Sequence, residues 1–473
     1  MTETLTHSPT SWPPPAPEPV EPGPIWLTID QREVDTRALS LWDHPAVVAA
    51  RASGVERLRT CMQFAVTDGP RTLEPAVDNL LFGILQAAVN DDPTRPKVIW
   101  SERLPYTAGG MEVPGCRYAA DTPDRVYRGV GVSTEHRYEI TGRRDRSHPT
   151  DNDFSVEAIP WPAMWGSATN TVQAPNGIDL NPDGTWTVIA DCTPTDGRRN
   201  HLHLPPGTAS LLIRDTLHEW GSQVPNEVTV RVLDAEPAPE RSRDEVAATA
   251  VSMFARSIEL SLGLFDGCFE QPVNELHAFY RGVNWGVAGG VIAYNRFDLA
   301  DDESLIMTLD MLTGEYLGIN TSCPWMSSVP CDARTSCLND RQLQAEPDGS
   351  YTVVLGPADP GVHNWLDTGG LRSGVVWIRW ERFAEAPKVT YYEDEETRAA
   401  RWAERPWSYE ENRVEGAVRN VRVVKTREIA DLIAAGQDRV TPEQRAQLRA
   451  DRLAAYQVRV TGTPVRAQRR VRT

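Results

Sequence analysis

Residues 348–380 read DGSYTVVLGPADPGVHNWLDTGGLRSGVVWIRW, which is a strand pattern, a loop rich in Gly, Pro, Asn and Asp, and a second strand pattern. Residues 183–215 read DGTWTVIADCTPTDGRRNHLHLPPGTASLLIRD and contain the same parts in the same order. Asp183 and Asp348 lie 165 residues apart, and each is followed by Gly. Asp-Gly is typical of tight turns that need a positive φ. The two segments indicate an internal duplication of one β unit.

Two further pairs of residues keep the spacing of this duplication. Arg214 and Arg379 are also 165 residues apart, and each lies at the end of an apolar strand pattern. Asn200 and Asn364 fall in the two loops, one residue out of step. Between residues 375 and 380 both faces of the alternating pattern are largely apolar, which is typical of an interior strand covered on both sides.

The sequence predicts a mainly β fold with two related β-sandwich units of jelly-roll-like type. Helical periodicity outside these units predicts an N-terminal helical cap, an inter-unit helix and a C-terminal helical tail. The predicted segments are a disordered Pro-rich arm at 1–24, the cap at 25–96, the first β unit at 97–240, the connecting helix at 241–265, the second β unit at 266–387 and the charged helical tail at 388–473.

The predicted helices have recognisable starts. Ser242 with Glu245, and Thr441 with Gln444, have capping-box spacing, so each pair marks the beginning of a helix. In the cap, helices are expected over residues 36–64, with a fresh start at Pro45, and 75–90. In the tail they are expected over residues 393–405, 426–435 and 442–456.

Composition limits the kinds of partner that we expect. The chain has 473 residues and a formal net charge of -18, which argues against a nucleic acid or an anionic membrane. No apolar run approaches the roughly 20 residues that a membrane-spanning helix needs. Seven scattered cysteines, without a secretory signal pattern, favour a reducing, cytoplasmic location. A homo-oligomer, or a partner protein bound through the C-terminal tail, is a further expectation.

Five blocks of sequence resemble the bacterial domain-of-unknown-function 1214 family. The most specific block is DPGVHNWLDT at residues 359–368, because ten residues of such mixed character seldom recur by chance. The likeness extends over roughly residues 40 to 385. The other blocks are YEITG at 138–142, LLIRD at 211–215 with Glu219-Trp220 after it, DESLI at 302–306 and TSCLN at 335–339.

The resemblance implies a β-rich fold with two lobes. It implies no reaction, because the family is named for having none assigned. This sequence has His218-Glu219 where the family usually has an aromatic residue followed by an acid, and its charged C-terminus is longer. No catalytic residue is therefore carried over from the family.

The function that the sequence favours is binding of a carbohydrate or another small ring-bearing ligand in an aromatic-lined cleft. Trp365 lies in the loop of the second copy, beside the amide of Asn364. Trp220 and Trp325 are further candidates for platforms under a sugar ring. Burial in the β-sandwich cores is the competing interpretation of the same tryptophans.

Arg214 and Arg379 each need a polar partner, because an unpaired guanidinium is costly to bury on an apolar strand. The duplication predicts equivalent partners, either a carboxylate or loop carbonyls of the same β unit. The alternative is that both arginines bind an anionic ligand in an open cleft.

A second candidate function is hydrolase or lyase chemistry, which needs two titratable groups in different environments facing one pocket. Asp359 and Asp367 are the candidate pair, with His363 between them in sequence. The competing interpretation is that both Asp side chains cap turns through neighbouring amides. The sequence leaves open whether the protein is an enzyme.

We expect no cofactor and no metal. His201 and His203 lie on one face of a predicted strand, a spacing that metal sites use. Trp365 and Asp367 take the equivalent places in the second copy, so the histidine pair is not part of the shared scaffold. No nucleotide-binding, α/β-hydrolase or zincin motif occurs.

Overall fold

The computed structural model describes residues 24–108, 110–118, 120–144, 154–160, 168–174, 176–269, 271–280, 290–383, 412–433 and 437–462. The described residues belong to two compact units. One unit comprises residues up to 61, 71–263 and those from 451 onward, and the other comprises 62–70 and 264–450. The predicted Pro-rich arm, except its last residue, and the predicted helix at 393–405 lie outside the described residues.

Helices form the N-terminal region and the connection between the β units, as predicted. The second helix begins at Pro45, whose fixed φ suits a first helical turn. The helix predicted from residue 75 begins six residues earlier, so that Pro75 lies inside it. The helices are α1 (Ile29–Ser40), α2 (Pro45–Leu58), α3 (Met62–Ala65), α4 (Gly69–Val89) and α5 (Arg243–Phe269).

Both predicted capping boxes are confirmed by their hydrogen bonds. The Ser242 amide donates to Glu245 Oε2 at 2.7 Å, and the Glu245 amide donates to Ser242 Oγ at 3.3 Å. The Thr441 amide donates to Gln444 Oε1 at 2.8 Å, and the Gln444 amide donates to Thr441 Oγ1 at 3.3 Å. The two pairs satisfy amides that have no partner within the first turn of a helix.

The first β unit has two main sheets that share one core, and β2 and β3 pair separately as a two-stranded sheet. The orders of the main sheets are β1-β4-β10-β6-β7 and β11-β5-β8-β9, and the pair β8–β9 is parallel. The strands are β1 (Ile99–Ser101), β2 (Tyr106–Ala108), β3 (Met111–Val113), β4 (Arg125–Gly131), β5 (Tyr138–Arg143), β6 (Phe154–Ile159), β7 (Asn170–Gln173), β8 (Thr185–Asp191), β9 (His201–His203), β10 (Ser210–Thr216) and β11 (Glu227–Val232).

The core of the first unit lies between its two main sheets. Phe154, Leu211 and Ile213 of one sheet and Tyr138 and Trp186 of the other belong to a single cluster of buried side chains. The Phe154 and Trp186 rings are stacked, with centroids 4.8 Å apart. This arrangement is a β-sandwich.

The second β unit has the same design. Its sheets have the orders β16-β15-β19-β13-β12-β20 and β18-β17-β14-β21, and the pair β17–β18 is parallel. The strands are β12 (Ala278–Tyr280), β13 (Val291–Asp298), β14 (Glu303–Leu309), β15 (Gly314–Ser322), β16 (Cys337–Asn339), β17 (Tyr351–Gly356), β18 (Trp365–Asp367), β19 (Ser373–Phe383), β20 (Arg413–Val414) and β21 (Val418–Lys425).

The strand orders confirm the mainly β fold and support the internal duplication. In chain order, β13, β14, β15, β16, β17, β18 and β19 take the places of β4, β5, β6, β7, β8, β9 and β10. The turns before β8 and β17 contain Gly184 and Gly349, at φ of 85° and 84°. A residue with a Cβ rarely adopts this backbone conformation, which explains the repeated Asp-Gly.

The C-terminal segment contains strand as well as helix. A 3-10 turn (Thr426–Glu428) and a short helix (Ile429–Leu432) follow β21, and a C-terminal helix covers Pro442–Thr461. The predicted helical tail thus includes an edge strand of the second unit. The charged sequence of β21 conceals it, because arginines interrupt its valines and the strand lies largely at the surface. In the part of the chain described, no helix combines the length and apolar character needed to cross a membrane.

Candidate functional site

Asp359 caps a turn and forms an ion pair in the second unit. Its Oδ1 accepts a hydrogen bond from the Gly361 amide at 2.9 Å, and its Oδ2 accepts one from Arg445 Nε at 2.9 Å. The Arg445 side chain is only 4% exposed and also donates to the carbonyl of Val362. The arginine therefore fixes the start of the loop that precedes β18.

Asp367, at the end of β18, also has turn and arginine partners. Its Oδ1 accepts a hydrogen bond from the Gly369 amide at 2.7 Å, and its Oδ2 accepts one from Arg334 Nη1 at 3.2 Å. Arg449 Nη2 lies 3.7 Å from the same Oδ2. The carboxylate is buried, whereas the Arg334 and Arg449 side chains are 46% and 40% exposed. Two half-exposed guanidinium groups thus converge on one buried carboxylate.

Trp365 lies in the same strand and is buried. Its Nε1 donates to the Gly356 carbonyl at 3.1 Å. The guanidinium carbons of Arg445 and Arg449 lie 5.2 and 5.7 Å from the ring centroid, within the range of a cation–π contact. The ring therefore supports two arginines. Neither arginine is among the predicted site residues, although their i, i+4 spacing in the C-terminal helix places them on one helix face.

His363 and Asn364 have backbone partners within the second unit. His363 Nε2 lies 3.2 Å from the Gln342 carbonyl oxygen. The fully buried Asn364 accepts from the Gln344 amide at 2.8 Å through Oδ1, and it donates through Nδ2 to the carbonyls of Gln344 and Thr352. The amide of Asn364 therefore holds the loop to the strand that precedes it.

Trp220 and Trp325 are buried, like Trp365, so none of the three is an open platform in this structure. Trp220 Nε1 donates to Asp124 Oδ1 at 2.7 Å, and the guanidinium carbon of Arg452 lies 4.2 Å from its ring centroid, both within the first unit. In the second unit, Trp325 Nε1 donates to the Gly69 carbonyl at 2.9 Å. The aromatic-platform role of these residues stays a prediction.

The two equivalent arginines have different partners. Arg214 donates through Nε to Glu157 Oε1 at 2.7 Å and through Nη2 to Glu157 Oε2, and the Glu157 side chain is 1% exposed. Arg379 instead donates to the neutral amide oxygen Asn320 Oδ1 at 3.0 Å. Each arginine therefore has a polar partner in its own β unit, the buried Glu157 carboxylate for Arg214 and the Asn320 amide oxygen for Arg379.

His201 and His203, whose spacing resembles that of metal ligands, belong to a polar cluster in the first unit. His201 Nε2 lies 3.2 Å from Asp191 Oδ1, and Thr193 donates to the same carboxylate with both its amide and its hydroxyl. Burial by itself raises the pKa of Asp191, but the hydrogen bonds from Thr193 and His201 outweigh it and lower the pKa to about 2. His203 Nδ1 lies 3.0 Å from the Thr193 carbonyl. Among the described residues, no group of three or more His, Cys, Asp or Glu side chains is placed to hold a metal ion.

Residues 326–380 match the model of a family described as "Protein of unknown function (DUF1214)". These residues are similar to DUF1214. The resemblance inferred from the sequence is thereby confirmed, and the match supports assignment to DUF1214. The matched segment contains Arg334, Asp359, His363, Asn364, Trp365, Asp367 and Arg379, whereas Trp325, Arg445 and Arg449 lie outside it.

The solved structures similar to this chain include an uncharacterised protein from Burkholderia cenocepacia. It is 20% identical, has a TM-score of 0.59, and the match covers 83% of this chain and 99% of that one. At this identity the similarity supports the β fold alone. The VPA0106 protein from Vibrio parahaemolyticus is 8% identical with a TM-score of 0.34, over 58% of this chain and 88% of that one. No curated protein matches the chain.

Proposed function

We propose that the protein binds a carbohydrate or another small ring-bearing ligand through Arg334, Arg449 and Asp367 of the second unit. The observation that supports this proposal is the pair of half-exposed guanidinium groups beside the buried Asp367 carboxylate. A guanidinium has five N–H donors in a rigid plane, and contact with Asp367 uses few of them. The remaining donors suit a ligand that presents several oxygen acceptors, such as a sugar.

Asp367 keeps the two arginines near each other without a ligand. Like charges repel, and a carboxylate between two guanidinium groups offsets that repulsion. Because Oδ1 of Asp367 is held by the Gly369 amide at 2.7 Å, the carboxylate has a fixed orientation. A ligand that meets a preorganised arginine pair loses less conformational freedom on binding.

Trp365 has a supporting role in this proposal. Its ring lies under the guanidinium groups of Arg445 and Arg449, so a sugar ring cannot stack on that face while these contacts persist. The ring instead orients Arg449, which in turn contacts the ligand. This role differs from the open platform that the sequence predicts, and it retains the aromatic residue in the site.

The hydrolase or lyase alternative has less support from the contacts. Asp359 and Asp367 each cap a turn and each face an arginine, as the competing interpretation of these residues expects. An acid/base pair instead needs one carboxyl group in an environment that favours its neutral form. We therefore place ligand binding first.

Two further proposals concern the setting of the protein. All seven cysteines are free thiols, which supports a reducing, cytoplasmic location. A homo-oligomer, or a partner protein bound through the C-terminal tail, is proposed from the charged sequence of that tail. Light scattering coupled to size-exclusion chromatography measures the oligomeric state directly.

A ligand screen by thermal unfolding tests the binding proposal. We expect D-glucuronate and D-galacturonate to raise the unfolding temperature more than D-glucose and D-galactose, because guanidinium groups bind carboxylates in a bidentate manner. Arg334→Ala should abolish these shifts, whereas Arg427→Ala, at an exposed arginine elsewhere in the second unit, should retain them. The absence of any shift with all four sugars would contradict the proposal.

A further inference from the structure

A cavity of about 340 Å³ lies in the first unit, separate from the site proposed above. Val89 and Asn90, at the end of α4, and Val246 of α5 form part of its wall. Volumes of roughly 300–1,000 Å³ are typical of small-molecule sites. None of the sequence predictions concerned this cavity, because its lining residues come from three separate stretches of the chain.

The lining is charged, and positive groups exceed negative ones. The basic side chains are Arg37, Arg95, Lys97 and Arg241, and the acidic ones are Glu33, Asp92 and Glu240. This balance differs from that of the whole chain, whose net charge is -18. An anionic group is therefore favoured inside the cavity.

Arg95 has the most exposed side chain of the four basic residues, at 37% against 29% for Arg241. Lys97 lies 2.6 Å from Glu33, and Arg37 lies 2.9 Å from the same carboxylate, so both have close acidic partners. Arg95, in contrast, donates through Nη2 to the neutral Ala238 carbonyl, and its Nη1 lies 3.8 Å from the Asp92 carboxylate. A ligand carboxylate near Arg95 could form a shorter, bidentate contact.

Asn90 provides a second, independent indication of a ligand. The residue is 5% exposed, and its Nδ2 donates to the Lys97 carbonyl at 2.9 Å, which fixes the orientation of the amide. Its Oδ1 is buried and, within the described residues, accepts no hydrogen bond. A buried acceptor without a donor is costly, so the site favours a molecule that supplies an O–H or N–H group.

Gln86 extends this acceptor lining by one helical turn. Its Oε1 is also buried without a hydrogen bond in the described residues, and it lines a small second cavity that shares Asn90 with the larger one. Residues i and i+4 of a helix lie on the same face. The two acceptor-bearing residues therefore lie on one face of this helical segment, and both line the smaller cavity, whereas only Asn90 also lines the larger one.

From this arrangement we propose that the cavity binds a small α-hydroxy or α-amino carboxylate. The carboxylate contacts Arg95, the hydroxyl or ammonium group donates to Asn90 Oδ1, and Val89 and Val246 contact the carbon chain. The shared chemistry is a carboxylate next to a hydrogen-bond donor. The hydroxy acid and the amino acid differ in that donor, and the experiment distinguishes them.

Three probes of equal chain length test this proposal by isothermal titration calorimetry. They are 2-hydroxypentanoate, norvaline and pentanoate, which differ in the group at the α carbon. We expect 2-hydroxypentanoate or norvaline, or both, to bind about tenfold more tightly than pentanoate. This difference in affinity is about what one additional hydrogen bond contributes. Whichever of the two binds more tightly identifies the donor. Equal affinities for all three probes, or no binding of any, would overturn the proposal.

Two variants locate the binding. Arg95→Ala should weaken binding of all three probes at least tenfold. Asn90→Leu should lower the affinity for the preferred probe to the affinity for pentanoate. Arg59→Ala, at an exposed arginine directly after α2 that does not line the cavity, is the control and should bind like the unmodified protein. If Asn90→Leu does not fold, Arg95→Ala decides, and unchanged binding in that variant refutes the assignment.

Discussion

Asn200 and Asn364 make the same three hydrogen bonds in the two β units. Asn200 Oδ1 accepts from the Asp179 amide at 2.7 Å, and its Nδ2 donates to the carbonyls of Asp179 and Thr187. Asn364 makes the equivalent bonds with the backbone of Gln344 and Thr352. The duplication is thus retained in individual hydrogen bonds, and in both units the amide attaches the loop before the parallel strand to its neighbours.

Replacement of these residues should destabilise the two units unequally. Asn364 is fully buried, so Asn364→Ala leaves the backbone groups of Gln344 and Thr352 without partners and should cost about 2–4 kcal/mol. Asn200 is partly exposed, so water can replace its amide and Asn200→Ala should cost about 1 kcal/mol. Urea denaturation of both variants measures the difference. A larger cost for Asn200→Ala would contradict this account of burial.

Arg214→Met should cost more stability than Arg379→Met. The first substitution leaves the buried Glu157 carboxylate without its guanidinium partner, and it should lower the free energy of unfolding by about 3–5 kcal/mol. The second substitution removes a donor from the neutral amide oxygen of Asn320, so the free energy of unfolding should fall by about 1–2 kcal/mol. The double variant Arg214→Met, Glu157→Leu should regain most of the loss, because no charge then stays buried. Equal losses in the two single variants would show that Glu157 does not determine the cost.

Asp191 should contribute to stability against acid. Its pKa is lowered to about 2 in the folded protein, against about 3.9 in an unfolded chain. The folded state therefore favours the ionised carboxylate, and this stabilisation is complete above about pH 4 and is lost as the pH falls towards 2. Asp191→Asn should reduce the pH dependence of the free energy of unfolding in this interval. Parallel acid-denaturation curves for the variant and the unmodified protein would contradict the expectation.

Arg445→Ala should loosen the strand that contains Trp365. The substitution removes the ion pair with Asp359 and one of the two guanidinium groups over the Trp365 ring. Because Asp359 is 30% exposed, we expect the free energy of unfolding to fall by roughly 2 kcal/mol, which is less than the loss of a fully buried ion pair would cause. Hydrogen exchange of the amides from Asn364 to Asp367 should become faster. Arg427→Ala is the control, and exchange rates unchanged in both variants would argue against this role for Arg445.

The sequence was sufficient to predict the architecture, because its main features are local. Asp183-Gly184 and Asp348-Gly349 mark turns through backbone conformation alone, and the alternation at residues 375–380 indicates a strand buried on both faces. Capping boxes depend on residues three apart, so both helix starts were predicted correctly.

The candidate site was predicted less completely, because its contacts are distant in sequence. Asp367 and Trp365 were recognised in their loop, but Arg449 lies 82 residues after Asp367 and belongs to a segment assigned to a charged tail. The partner of Arg214 was expected to be either a carboxylate or loop carbonyls of its own β unit, and no local pattern identifies Glu157 among the acidic residues. Burial of the three tryptophans also depends on which distant residues cover them.

The central claim is that Arg334 and Arg449 bind a ligand beside Asp367, and calorimetric titration with D-galacturonate tests it most directly. The unmodified protein and the Arg427→Ala control should bind this acid sugar with the same affinity. Arg334→Ala and Arg449→Ala should each weaken binding by tenfold or more, because each removes charge-assisted hydrogen bonds worth roughly 1.5–3 kcal/mol. Heats indistinguishable from dilution in the unmodified protein, or an affinity unchanged in both arginine variants, would contradict the claim.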